Sequence, residues 1–80
     1  MSVRDLVDFL VKQFISEEYY DIVMLEDNDS VEIKVFVDKN KVARLIGRSG
    51  RLAKSIRTIV KAVAQNSYKH YDLFIEERQC

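Results

Sequence analysis

The sequence predicts an α+β domain whose elements run helix, strand, strand, helix, helix, strand, forming a three-stranded mixed sheet with three helices on one face. Three observations carry that prediction. Apolar residues recur at helical spacing in residues 3–14 and 51–63, they alternate with period two in residues 31–37 and 71–76, and both glycines of the 80-residue chain stand at 47 and 50, between two helical stretches. Two strands joined by a short hairpin are antiparallel, and a strand joined to the next through two helices is parallel through a right-handed crossover. The 31–37 strand therefore lies in the middle. A chain of this length buries only about 60% of its unfolded surface, which leaves core for one domain, residues 1–80.

The elements follow in order. Ser2 with Asp5 three residues on resembles a capping box, and Val3, Leu6, Val7, Leu10, Val11 and Phe14 follow on one stripe. This predicts an amphipathic helix of about 13 residues laid on the domain's own sheet. Its polar face carries Asp5, Asp8 and Lys12, which is unlike the basic face that anionic membranes attract. Residues 19–25 form an apolar, partly β-branched run, and residues 31–37 alternate, so both read as strands. The polar residues 26–30 between them make a hairpin loop, since Asn and Asp accept turn geometry. In the second strand Val31, Ile33, Val35 and Val37 face the helices, leaving Glu32, Lys34 and Phe36 outside.

Asp38 or Asn40 is placed to cap a short helix over residues 41–46, which Gly47 stops. At 100° per residue the helix after Gly50 puts Leu52, Ile56, Ile59, Val60 and Val63 on a core side, and Arg51, Lys54, Arg57, Thr58 and Lys61 on a cationic one. Asn66, Ser67 and Lys69 break it. Tyr71, Leu73 and Ile75 then share one face of a last strand, with Phe74 near Phe36 on the uncovered face.

The turn at 47–50 is where function is expected. Glycine accepts φ > 0 and close backbone approach, so Gly47 can end one helix and Gly50 open the next. The unpaired N–H groups that begin the second helix then stand at the positive end of its dipole, beside Arg48 and Arg51. The charge distribution supports a site for an anionic backbone. Formal net charge is zero, yet residues 39–71 hold nine basic side chains and no acidic one, whereas residues 1–38 hold ten acidic and three basic.

Several function classes find no support. The only histidine, His70, has no nucleophile and orienting group placed around it in sequence, so no catalytic residues are assigned. Acids at 26, 27, 29, 32 and 38 lack the spacing and glycine of a calcium loop, so no metal or other cofactor is expected. The lone cysteine, Cys80, is terminal and can close no intrachain disulfide. The longest apolar run is four residues, which predicts a cytoplasmic protein without a membrane contact.

The segment from Val42 to Ala62, with Ile46 before Gly47-Arg48-Ser49-Gly50 and a basic helix after it, resembles the core of a KH domain. The element order resembles the type II arrangement, and the size is similar to that of the small bacterial single-KH proteins of the KhpA family. The resemblance covers essentially the whole chain and implies single-stranded RNA binding. In it Gly47, Arg48, Ser49 and Gly50 clamp about four nucleotides of backbone, while Ile46 and Val42 line a groove walled by the 31–37 strand. Ala53 departs from the pattern, standing where many KH domains carry a larger apolar residue. Arg44, Arg51 and Lys54 are flanking phosphate contacts on grounds of charge and helical angle. So small a groove implies relaxed sequence specificity, and the family is also similar in pairing with itself, or with a larger KH-containing protein, in post-transcriptional regulation.

Two rival readings share these residues. A DNA-binding helix-turn-helix also joins two helices by a short glycine turn, but its recognition helix presents base-reading side chains, whereas this one offers mainly Lys and Arg. An assembly module would work through dimerisation, with Phe36 and Phe74, or the helix edge near the turn, as its contact.

Overall fold

The computed structural model describes residues 2–65 and 68–78. Its elements are α1 (Val3–Lys12), β1 (Tyr20–Glu26), β2 (Ser30–Asp38), α2 (Val42–Ile46), α3 (Arg51–Val63) and β3 (His70–Arg78), with single 3-10 turns at Glu17–Tyr19 and Arg48–Gly50. The sheet order is β1-β2-β3, with β1 antiparallel and β3 parallel to β2. This is the mixed three-stranded α+β architecture of a type II KH fold, with β2 in the centre.

Register explains why β2 dominates. Ile33 faces Met24 on one side and Leu73 on the other, and Val35 faces Ile22 and Ile75. Its four inward side chains, Val31, Ile33, Val35 and Val37, are fully or almost fully buried. They meet Val7 and Val11 of α1, Leu45 of α2, and Ile56 and Val60 of α3 in one core. On the opposite face Lys34 is flanked in register by Val23 and Phe74, with Phe36 on the diagonal, so the two aromatic rings do share the uncovered side.

Three expectations need correction. First, α1 has ten residues: Phe14 lies beyond it and is exposed, and Ile15 takes the buried place. Ser2 does cap it, its Oγ accepting the Asp5 N–H at 3.1 Å. Second, no side chain caps α2; Lys41 is its N-cap residue, held by its N–H donating to the Asp38 carbonyl at 2.8 Å. Third, α3 is rotated relative to the expected core side. Ala53, Ile56, Val60 and Ala64 are buried, whereas Ile59 (40% exposed) and Val63 (55%) face outward. The buried stripe thus runs through two alanines, and the larger residues are turned to its flank. Asn66, Ser67 and Cys80 lie outside the described residues.

A half-buried polar tie joins α1 to the sheet. The Tyr20 hydroxyl donates to Asp8 Oδ1 at 2.7 Å, and Lys12 Nζ stands 3.3 Å from Asp8 Oδ2. The tyrosine bond, followed by the lysine, holds the Asp8 carboxyl below the usual range, against the opposing effect of burial. Burial first, then Asp8, pushes the Tyr20 hydroxyl up.

A group whose folded pKa is depressed contributes stability that is present above its unfolded pKa, about 3.9 for aspartate, and lost as pH falls through the folded value. Tyr20→Phe is therefore expected to lower stability by about 1 kcal/mol at neutral pH, since Asp8 is partly solvated. In urea titrations the gap from the native chain should narrow below pH about 4. A gap independent of pH would show that the hydroxyl acts through packing and not through the carboxylate.

Candidate nucleic-acid interface

The connection between α2 and α3 is shaped by three residues of positive φ. Gly47 (φ 77°, ψ 179°) occupies a region essentially restricted to glycine, Ser49 (φ 57°, ψ 25°) is left-handed, and Gly50 (φ 74°, ψ 11°) is the N-cap residue of α3. Gly47 closes α2 by donating its N–H to the Ala43 carbonyl at 3.0 Å. Gly50 N–H then reaches the Gly47 carbonyl at 3.3 Å, and Arg51 N–H reaches that of Arg48. The two glycines thus end one helix and begin the next, as their spacing predicts.

Space as well as torsion selects glycine at 47. A Cβ there would lie 2.8 Å from Leu52 Cβ and 3.1 Å from Leu52 N, so the turn folds directly onto the start of α3. At Gly50 a Cβ would meet nothing within 4 Å, and only torsion matters. Ser49, the one non-glycine residue with positive φ among those described, adopts the left-handed region at a cost of about 1 kcal/mol.

This route brings the chain to an α3 N-terminus that no side chain caps and whose first turn holds no acid. The positive end of the α3 dipole is therefore left without a carboxylate or a capping hydroxyl against it. Arg48, Ser49, Arg51 and Lys54 are exposed around it. Arg51 and Lys54 border a shallow tray of about 510 Å³ with Ser55, Thr58 and Ile59 along the outer side of α3. The tray thus has a guanidinium and an ammonium group on its border and no carboxylate in its lining.

The other expected residues are placed differently. Arg44 is exposed but borders a separate hollow of about 280 Å³ with Lys12, Phe14, Tyr19 and Lys41, where Lys41 Nζ lies 4.9 Å from the centroid of the Tyr19 ring. Val42 is half-buried and packs against the core, and Ile46 is half-buried beside Gly47. The cationic side expected along α3 is divided. Arg57 Nε donates to the Leu73 carbonyl at 3.1 Å, and Lys61 Nζ stands 3.5 Å from Asp72 Oδ1, so both fasten α3 to β3. The expected groove wall also changes. The inner side chains of β2 are sealed in the core, and the edge strand β3 also lies against both α2 and α3.

Sequence reasoning missed the fastening role of Arg57, because a side-chain bond to a backbone carbonyl of another element leaves no periodic mark. Among the described residues no three His, Cys, Asp or Glu side chains gather to hold a metal ion, and no helix is long and apolar enough to cross a membrane. Acids of the β1–β2 loop serve its own turn: Asp27 N–H donates to the Ser30 carbonyl, and Asp27 Oδ1 accepts the Asn28 N–H, both at 2.8 Å.

Comparison with known proteins places this geometry. Residues 4–75 match the family described as KhpA/KhpB, KH domain. The chain is similar to the RNA-binding protein KhpA of Listeria monocytogenes, with 34% identity over 94% of this chain and 100% of the relative. It is also similar to the RNA-binding protein KhpA of Streptococcus pneumoniae, 33% identical over 96% of this chain and 98% of that one. For the protein of the same name from Borreliella burgdorferi the identity is 31%, over 89% and 88% respectively.

The two glycines should respond unequally to substitution. Gly47→Ala combines torsional strain with a clash against backbone and is expected to cost about 3 kcal/mol. Gly50→Ala meets strain alone, partly offset by a stiffer unfolded chain, and should cost about 1 kcal/mol. Urea denaturation of both variants checks the order, and equal costs would mean that Leu52 yields.

Proposed function

The chain belongs to the KhpA/KhpB KH-domain family, and from that premise we propose that it binds single-stranded RNA by gripping the backbone in the turn Gly47-Arg48-Ser49-Gly50. The observation that carries the reading is the uncapped N-terminus of α3, delivered by three positive-φ residues and flanked by exposed Arg48 and Arg51. Backbone phosphate suits that site because the N–H groups and the guanidinium groups supply donors and charge together. Relatives called RNA-binding protein KhpA support RNA as the ligand. Lys54 extends the phosphate contact along α3, and Ile46 lies where a base meets the apolar side of the turn. Arg44 and Val42 act at most as peripheral contacts, since one borders another hollow and the other packs inward. With about four nucleotides held, sequence preference is low.

The test is binding of a short random-sequence RNA to the native chain and to the double variant Arg48→Asp with Ser49→Asp, with circular dichroism on both. Aspartate tolerates the left-handed conformation at 49, so the fold persists while two carboxylates repel phosphate. Binding should vanish. For the native chain and a strand of about four nucleotides, log affinity should fall against log salt with a slope of about −2 to −3. Lys54→Gln should reduce that slope by about 0.7, whereas Lys61→Gln, which only frees Asp72, should leave it unchanged. A flat salt profile, or equal binding by the double variant, overturns the clamp.

A second reading, assembly as a dimer or with a larger KH-containing partner in the cytoplasm, is favoured by a specific feature. Phe9 (53% exposed) on α1, and Ile59 and Val63 on α3, which packs against α1, are large apolar side chains left uncovered. Val63→Glu should shift the chain toward monomer in analytical ultracentrifugation while leaving the affinity for a four-nucleotide strand within about twofold. A native chain that sediments as a monomer at every concentration excludes the homodimer.

A further inference from the structure

At the far end of α3 from the glycine turn lies a hollow of about 370 Å³, lined by Lys61, Gln65, Tyr68, His70, Tyr71 and Asp72 among others. A helix of 13 residues separates the two places by about 20 Å. The hollow differs in chemistry from the clamp. Tyr68 is 85% exposed, the most exposed large apolar or aromatic side chain among those described. A ring so placed makes no contribution to the core and offers a free π-face to whatever enters. Lys61 and Asp72 pair across the hollow at 3.5 Å with both side chains about half exposed, and Lys69 is bound to Glu26 beside it. An exposed ion pair is worth little, so its members can exchange partners at small cost. Gln65 is exposed and brings amide donors and an acceptor.

An exposed aromatic ring, hydrogen-bonding side chains and a cation beside an open hollow are what an unstacked nucleobase requires. Bases splayed out of a single strand stack on aromatic side chains, and the stacking tolerates any base because each has a π-face. We propose that this hollow takes a base of the same strand whose backbone the glycine turn holds, with Tyr68 as the stacking platform. The proposal rests on the reading of the chain as a single-strand RNA binder. It makes the footprint longer than the clamp alone, and it separates the two jobs: charge at one end of α3 holds the backbone, and a ring at the other holds a base. Between them Arg57 closes α3 onto the β3 edge, so the strand passes over that contact and not through it.

The chain contains no tryptophan, so Tyr68→Trp installs a single indole whose fluorescence reports stacking directly. The probes are random-sequence RNAs of about four and about twelve nucleotides, the shorter matched to a KH clamp. The longer strand is expected to quench the indole and the shorter one to bind without quenching. Tyr68→Ala should weaken the longer strand about tenfold and leave the shorter unchanged, while Tyr68→Phe keeps native affinity for both. If both strands bind the native chain, the indole is not quenched and Tyr68→Ala binds as the native chain does, the platform is refuted and the clamp survives. Quenching by both lengths alike also refutes it, because a strand confined to the clamp cannot reach Tyr68. If neither strand binds the native chain, the clamp reading itself fails and the platform with it.

Discussion

The fold depends on one constraint: the inward side chains of β2 must be sealed on a sheet that has helices on only one side. Hydrogen bonds to β1 and β3 satisfy its backbone, and α1, α2 and α3 cover Val31, Ile33, Val35 and Val37. Each covering helix is short, and none would be stable alone in water. The parallel pairing with β3 obliges the chain to cross over the sheet between residues 38 and 70, and the two helices of that crossover must be joined within a few residues. The glycine turn is the solution to that joining. Gly47 lies so close to Leu52 that the turn and the first residues of α3 are one rigid piece, anchored in the core by Leu45 on one side and Ile56 on the other.

The positive φ of Gly47, Ser49 and Gly50 belongs to the packing of the two helices against each other. On the reading of the turn as an anion site, a turn fixed in this way would lower the ordering cost of association. Segregation of charge acts in the same direction. The acids lie mostly in α1, the hairpin and the outer sheet face, whereas the crossover carries cations without a single carboxylate. On the reading of the chain as a single-strand binder, this segregation would orient the molecule as a strand approaches.

What could be read in the sequence and what could not divide along physical lines. The strands were legible because period two is unambiguous in residues 31–37, and the turn because only two glycines exist and they stand three apart. The start of α1 was legible because a serine cap has a local pattern, which the Asp5 N–H satisfies. The rotation of α3 was not legible. Angular counting weights Ile59 and Val63 heavily and alanine lightly, yet the buried stripe runs from Ala53 through Ile56 and Val60 to Ala64, with Ile59 and Val63 outside it. The same blindness hid the division of the cations: nothing in sequence spacing separates Arg57 and Lys61, which tie down β3, from Arg51 and Lys54, which are free to meet a ligand.

That division bears on the departure at Ala53. Ala53 is itself only 7% exposed, so a larger side chain there would have to displace its neighbours. Four residues further along α3, Arg57 Nε donates to the Leu73 carbonyl at 3.1 Å, so the middle of the β3 edge already has a partner on the α3 side. On the reading of the turn as a backbone clamp, a bound strand would find apolar surface beside Ile46 and would then pass over the Arg57 contact, and its affinity would come from charge and from contacts beyond the turn.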